Sequence, residues 1–90
     1  MKENPYLKSA ILEVVETQLK RNDPPETRQT FDRLISQGYS VEDSKKLIGY
    51  VVVAEIFDVV KKQETFNPER FAKALQELPK LPRDQKDTRL

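Results

Sequence analysis

Residues 41–63 read VEDSKKLIGYVVVAEIFDVVKKQ, and this stretch decides the fold of the chain. The run Tyr50-Val51-Val52-Val53 is rich in β-branched residues, so a strand is one interpretation of it. That run is short, however, and it lies inside a longer pattern that repeats every three or four residues, as an α-helix does. The residues of this longer pattern are Leu47, Ile48, Val51, Val52, Ile56, Val59 and Val60. The stretch therefore predicts one long helix, from about Val41 to Gln63.

Residues that favour helix N-termini divide the rest of the chain into further helices. The predicted starts are Asn4-Pro5, Asp23-Pro24-Pro25, Ser40 with Asp43 three residues later, and Asn67-Pro68. The first helix is expected from Pro5 to Arg21. Gly38 closes a second helix of about three turns as a left-handed cap, and Pro79 ends a fourth helix that carries Phe71 and Leu75.

These four helices predict a small all-α domain. Short connections favour antiparallel neighbours, so we expect the first three helices to run up, down and up in a bundle-like core. The fourth, shorter helix is expected to fold back across an end or an open face of that core. The predicted domain covers residues 4–79. Residues 80–90 have mixed charges and no apolar period, which predicts a mobile C-terminal tail.

Composition excludes several classes of function. The 90 residues include 16 Lys and Arg, 15 Asp and Glu, and neither His nor Cys. The commonest general base, the thiolate nucleophile and the commonest metal ligands are therefore missing, so we expect no enzyme, no cofactor and no metal site. A net charge of +1 disfavours a dedicated nucleic-acid binder. We see no signal peptide and no membrane span, and we expect a cytoplasmic protein.

Glu55 is the unusual residue of the long helix. On a helical wheel it falls between Ile48, Val52 and Val59, near the centre of the apolar arc. A carboxylate in that position is expected to be buried, and it then needs a partner. The up-down-up order makes Arg28 the candidate partner, with Tyr39 and Gln18 as weaker alternatives. A structural ion pair is the favoured interpretation, and a functional carboxylate is the alternative.

The long helix is apolar on its other side too, where Tyr50, Val53, Phe57 and Val60 lie. A helix that is apolar almost all round is either central in its domain or covered by a partner. Three short helices hardly enclose it, so these four residues are our interface candidates, for a homodimer or for another protein. The alternative is that the fourth helix covers this side.

The chain also resembles a family of uncharacterised small bacterial and archaeal proteins, a domain of unknown function. The residues that carry the resemblance are Asn4-Pro5, Gln18-Leu19, Pro24-Pro25-Glu26, Arg33-Leu34, Gly38-Tyr39, Glu55-Ile56, Phe66 and Glu77-Leu78-Pro79. The resemblance implies a helical fold with pairs of histidines in many relatives. Those pairs fall at Lys8 and Leu12 and at Glu42 and Lys46, so no imidazole is present at these positions here.

Two further hypotheses compete with protein interaction. The first is a degenerate metal or anion site between the first and third helices that uses Glu16, Glu42 and Lys46. The second is weak binding of nucleic acid by the basic residues of the tail, which are Lys80, Arg83, Lys86 and Arg89. Acidic residues interrupt that tail, and a solvated terminus is the more common meaning of such a mixture.

Overall fold

A computed structural model describes residues 5–82, without the side chain of Pro5. Within this range the chain forms four α-helices: α1 (Pro5–Arg21), α2 (Pro25–Ser36), α3 (Val41–Lys62) and α4 (Pro68–Glu77). None of the described residues is in a strand. The all-α fold class and the four predicted helices are therefore confirmed. Most of the predicted mobile tail, residues 83–90, lies outside the described residues.

Two of the predicted helix starts have side-chain caps. The Oγ of Ser40 accepts a hydrogen bond of 3.0 Å from the backbone N–H of Asp43. Asn67 does the same for the backbone N–H of Arg70, also at 3.0 Å. Each cap satisfies one of the N–H groups that have no partner inside the first helical turn, so α3 and α4 begin where the sequence predicted.

Other helix ends differ slightly from the prediction. The cap position of α2 is Pro24, and no side chain caps this helix, so Asp23 does not have the predicted role. α3 ends at Lys62, because Gln63 adopts a left-handed backbone with φ of 54°. After α2, Gly38 has φ of +101°, a conformation that glycine adopts without the strain that a Cβ causes.

The hydrophobic core lies where one face of α3 meets the other three helices. Its buried residues are Val15 from α1, Leu34 from α2, Ile48, Val51 and Val52 from α3, Phe71 and Leu75 from α4, and Leu78. The apolar period of α4 places Phe71 and Leu75 on the side that faces α3. α4 therefore closes the core and is not available to cover the opposite side of α3.

The direction of α1 relative to α3 differs from the up-down-up order. Ile11 approaches Gly49 so closely that a Cβ there would lie 3.2 Å from the Cγ2 of Ile11. Further along α1, Glu16 pairs with Lys45. From the first contact to the second, the residue number rises in α1 and falls in α3, so the two helices are antiparallel. The predicted parallel direction was therefore wrong. α2 has 12 residues against 17 in α1 and is too short to return the chain along α1.

Candidate interaction surface

The four interface candidates form a line along α3 that we call the α3 stripe: Tyr50, Val53, Phe57 and Val60. Their exposed fractions are 56%, 42%, 49% and 70%, in that order. Sequence intervals of three, four and three residues keep them on one side of the helix. Within residues 5–82 the α4 residues Phe71 and Leu75 are buried in the core, so the alternative in which α4 covers the stripe was wrong.

A groove runs between α1 and the first half of α3, and we call it the α1–α3 groove. It has a volume of about 260 Å³. Its lining residues are Leu7, Lys8, Ile11 and Leu12 from α1 and Lys46, Gly49, Tyr50 and Val53 from α3. Gly49 gives Ile11 room to approach the α3 backbone, because a Cβ at position 49 would make a tight contact with the Ile11 side chain. The groove therefore has an apolar floor with lysines at its edges.

A second groove, of about 270 Å³, lies on the other side of the stripe. It is lined by Tyr50, Val53, Ala54, Phe57, Leu81 and Pro82. Since Tyr50 and Val53 line both grooves, the two form one continuous apolar surface that the stripe crosses. Sequence reasoning missed the contributions of α1 and of Leu81, because they depend on how the helices pack against each other.

Charges of both signs surround this surface. Lys46 pairs with Glu42 at 3.7 Å, one helical turn away. The Nζ of Lys61 lies 5.6 Å from the centre of the Phe57 ring, a distance that allows a cation–π contact. Lys8, Leu12 and Lys46, three of the positions at which the resemblance predicts histidines in relatives, all line the α1–α3 groove. Without an imidazole, they give this groove an apolar and cationic character.

Glu55 is buried, as predicted, with 5% of its surface exposed. The prediction that Arg28 is the partner of Glu55 was wrong. The carboxylate accepts hydrogen bonds of 2.9 Å from both the Nε and the Nη2 of Arg70, and one of 2.8 Å from the backbone N–H of Asn67. The weaker candidates, Tyr39 and Gln18, are not among these donors. Gln18 instead accepts a hydrogen bond from the hydroxyl of Thr27.

The reason for this correction is the position of α4. Arg70 lies in the first turn of α4 and points back to Glu55, which faces α4 from the middle of α3. Arg28 instead lies exposed on α2, where its guanidinium is 5.9 Å from the centre of the Phe31 ring. The hydrogen bonds from Arg70 lower the pKa of Glu55 from its usual value, and they outweigh the opposite effect of burial.

Arg70 also contacts two other carboxylates, those of Asp58 at 3.7 Å and Glu64 at 3.4 Å. The hydrogen bonds to Glu55, with smaller contributions from the charges of Glu64 and Asp58, raise the pKa of Arg70 above its usual value. The guanidinium neutralises the buried carboxylate, and the cluster fixes the start of α4 on α3. This arrangement is that of a structural ion pair, and a functional role for Glu55 gains no support from it.

A second arginine, which sequence reasoning missed, holds the other end of α4. Arg33 of α2 donates hydrogen bonds of 3.0 Å to the carbonyl oxygens of Leu75 and Leu78. These carbonyls lie at the C-terminal end of α4, where the last C=O groups lack the usual partner four residues later; the carbonyl of Leu75 also accepts a hydrogen bond of 3.2 Å from the backbone N–H of Leu78. No local sequence pattern identifies this contact, since 42 and 45 residues separate its partners.

Of the three residues of the proposed metal or anion site, Glu42 and Lys46 pair with each other and not with Glu16 in the described part of the chain. Glu16 bonds to Lys45, which lowers the pKa of the Glu16 carboxyl, whereas Glu42 pairs with Lys46. Nor do residues 5–82 contain any group of three or more acidic side chains arranged to hold a metal ion. Among the cations of the proposed nucleic-acid site, Lys80 is exposed, and Arg83, Lys86 and Arg89 lie outside the described residues.

Comparison with known proteins adds no family to these observations. No family model, curated protein or solved structure matches the chain. The resemblance to a family of small helical proteins of unknown function therefore stays a prediction. In the described part of the chain, no helix has both the length and the apolar composition needed to cross a membrane.

Proposed function

We propose that this chain is a non-enzymatic, cytoplasmic protein-interaction module that forms a homodimer through the α3 stripe. One observation carries the proposal: a line of four apolar residues stays 42–70% exposed on a helix whose opposite face is the core of the domain. Solvent contact with so many adjacent apolar side chains is unfavourable, and association removes it. In this proposal the function of the protein is to associate through the α3 stripe, without catalysing a reaction.

The residue types of the stripe suit an interface. Tyr50 and Phe57 each present about half of an aromatic side chain, and aromatic residues supply much of the binding energy at protein interfaces. Val53 and Val60 are stiff at χ1, so little side-chain entropy is lost when they are covered. The nearby lysines and glutamates provide the polar rim that usually surrounds an apolar interface core.

A second copy of the chain is the partner that this proposal names. The net charge of +1 means that two copies approach each other without strong long-range repulsion. The stripe and its two grooves are also continuous, so one partner helix is able to cover all of them. Binding to a different protein is the outcome favoured if the isolated chain remains a monomer.

The absence of catalytic residue types supports a non-enzymatic role. The chain has no His and no Cys, and the buried carboxylate of Glu55 is neutralised by Arg70. An ion-paired carboxylate with a lowered pKa is a poor general acid near neutral pH. Glu55 is therefore assigned to folding.

Two matched substitutions test the proposal by sedimentation equilibrium. Val60→Glu places a charge in the stripe, and we expect it to weaken self-association at least tenfold. Val41→Glu is the control, because Val41 lies on the same helix with 53% exposure but on the opposite side of the wheel. We expect this control to associate like the wild type. Equal association of both variants and the wild type would contradict the proposal.

A further inference from the structure

We infer that the two copies pack their α3 helices antiparallel, around a two-fold axis close to residue 55. In this arrangement the second half of each stripe covers the α1–α3 groove of the other copy. The inference rests on the proposed homodimer and adds its geometry. Three features of the described residues support it: the spacing of the stripe, the shape of the surface and the distribution of charge.

The spacing of the stripe matches the seam of a two-stranded coiled coil. Residues 50, 53, 57 and 60 occupy alternating a and d positions of a heptad pattern. When two such helices run antiparallel, each a residue faces a d residue of the other. Tyr50 of one copy then faces Val60 of the other, and Val53 faces Phe57. Each layer combines one aromatic residue with one valine, so the four layers have similar volumes.

The two halves of the stripe differ in their relation to the α1–α3 groove. The α1–α3 groove lies along the first half of the stripe, at Tyr50 and Val53. Phe57 and Val60 occupy the second half and do not line that groove; Val60 is the most exposed residue of the stripe. An antiparallel pair places the second half of each stripe over the α1–α3 groove of the other copy. A parallel pair would place groove against groove and leave space between the helices.

The charges of α3 favour the same direction. Its first turn carries Glu42 and Asp43, and its last turn carries Lys61 and Lys62. Antiparallel packing opposes the two helix dipoles, although an axis near residue 55 places Lys61 and Lys62 level with residues 48–49 of the other copy and not with Glu42 and Asp43. Lys46 lies four residues before Tyr50 and continues the heptad pattern. Parallel packing would therefore bring the Lys46 side chains of the two copies next to each other.

The exposed apolar area of each copy is comparable with that of a standard protein interface. Tyr50 and Phe57 each expose about half of their surface, which corresponds to roughly 100 Å² of aromatic side chain apiece. With Val53, Val60 and Leu7, the apolar contribution of each copy is roughly 400 Å². A standard interface contains ~800 Å² per partner, of which somewhat more than half is apolar. The surface therefore meets the apolar need of a standard dimer.

Distances between spin labels on the two copies test the direction and the register. The chain has no Cys, so single cysteines introduced by E42C and K62C are labelled specifically. Both positions lie outside the stripe. With 1.5 Å rise per residue and an axis near residue 55, the inference predicts about 40 Å between labels at position 42 and about 23 Å at position 62. A parallel dimer would give about 10 Å for both.

Sedimentation equilibrium of the same labelled samples separates the two possible failures. A dimer with short distances at both positions would overturn the antiparallel inference and leave the proposed homodimer intact. A dimer with long but equal distances, about 30 Å each, would place the axis near residue 52 and overturn the register. If the unlabelled wild-type chain is a monomer, the proposed homodimer fails and the inference fails with it.

Discussion

The two sides of α3 are both apolar, yet within residues 5–82 only one of them is buried in the core. On that covered side, Phe71 and Leu75 of α4 belong to the same buried cluster as Ile48 and Val52. On the other side the α3 stripe stays exposed. The covered side differs in having polar anchors: Glu55 binds the start of α4 through Arg70, and Arg33 binds its end. Hydrophobic residues supply much of the packing energy, and these charged hydrogen bonds specify which side α4 occupies.

Two aromatic residues give the largest expected difference between the two sides. Phe71→Ala removes a side chain with 3% exposure and leaves a cavity, so we expect a loss of about 3–4 kcal/mol in the free energy of unfolding. Phe57→Ala, at 49% exposure, should cost less than about 1 kcal/mol in the monomer. Urea denaturation at low protein concentration measures both. Similar losses would mean that the stripe belongs to the core.

The anchor at Glu55 is expected to have the next largest effect. Glu55→Leu leaves the guanidinium of Arg70 and the N–H of Asn67 without their acceptor, and we expect a loss of about 2–3 kcal/mol in urea denaturation. Glu64→Gln is a matched control, because Glu64 contacts the same arginine at 3.4 Å from an exposed position. Its loss should stay below about 0.5 kcal/mol, since exposed ion pairs contribute little. Equal losses would rule out a special role for Glu55.

Arg33 holds the other end of α4 and should contribute somewhat less. Arg33→Met removes the hydrogen bonds to the carbonyls of Leu75 and Leu78, and we expect a loss of about 1–2 kcal/mol. Amide hydrogen exchange should speed up more in α4 than in α1. Arg28→Met is the control, since Arg28 is exposed on the same helix and its guanidinium lies over the Phe31 ring, 5.9 Å from the ring centre. If exchange in α4 does not change, Arg33 is not an anchor.

The pH dependence of stability sharpens the assignment of Glu55. Arg70 lowers the pKa of Glu55 below its usual 4.5, so this carboxylate stabilises the fold above the pKa of the unfolded chain. That contribution is lost as the pH falls through the lower pKa of the folded state. We expect Glu55→Gln to lose less stability than the wild type when the pH is lowered from about 6 to 3. Parallel curves of unfolding midpoint against pH would contradict the assignment.

The smallest expected effect concerns metal ions. Glu16 and Glu42 each pair with a different lysine, and no imidazole or thiolate is present in the chain. We therefore expect zinc or nickel to leave the melting temperature of the protein unchanged. A rise of several degrees, as ligand linkage would produce, would revive the metal-site hypothesis.

Local features of this fold could be predicted from the sequence. The caps at Ser40 and Asn67 act over three residues, so their patterns are visible in the chain itself. The burial of Glu55 followed from the period of one helix. The exposed α3 stripe followed from the same period, together with the small number of residues available to cover it.

Features that depend on how helices pack could not be predicted in the same way. The partner of Glu55 was missed because Arg28 was chosen from an assumed helix direction, whereas Arg70 lies on a helix whose placement only the structure shows. A site between α1 and α3 was predicted, but the apolar lining of the α1–α3 groove was not, since α1 runs opposite to the expected direction. Arg33 binds carbonyl groups more than 40 residues away, and the sequence contains no period that links them.

The central claim is that the α3 stripe joins two copies of this chain. The most direct test is the molar mass of the wild type and of Phe57→Glu, measured by sedimentation equilibrium over a wide range of protein concentration. We predict that the mass of the wild type rises from 10.5 kDa to twice that value with concentration and that Phe57→Glu stays near 10.5 kDa. A wild type that remains at 10.5 kDa throughout, or a variant that dimerises equally well, would contradict it.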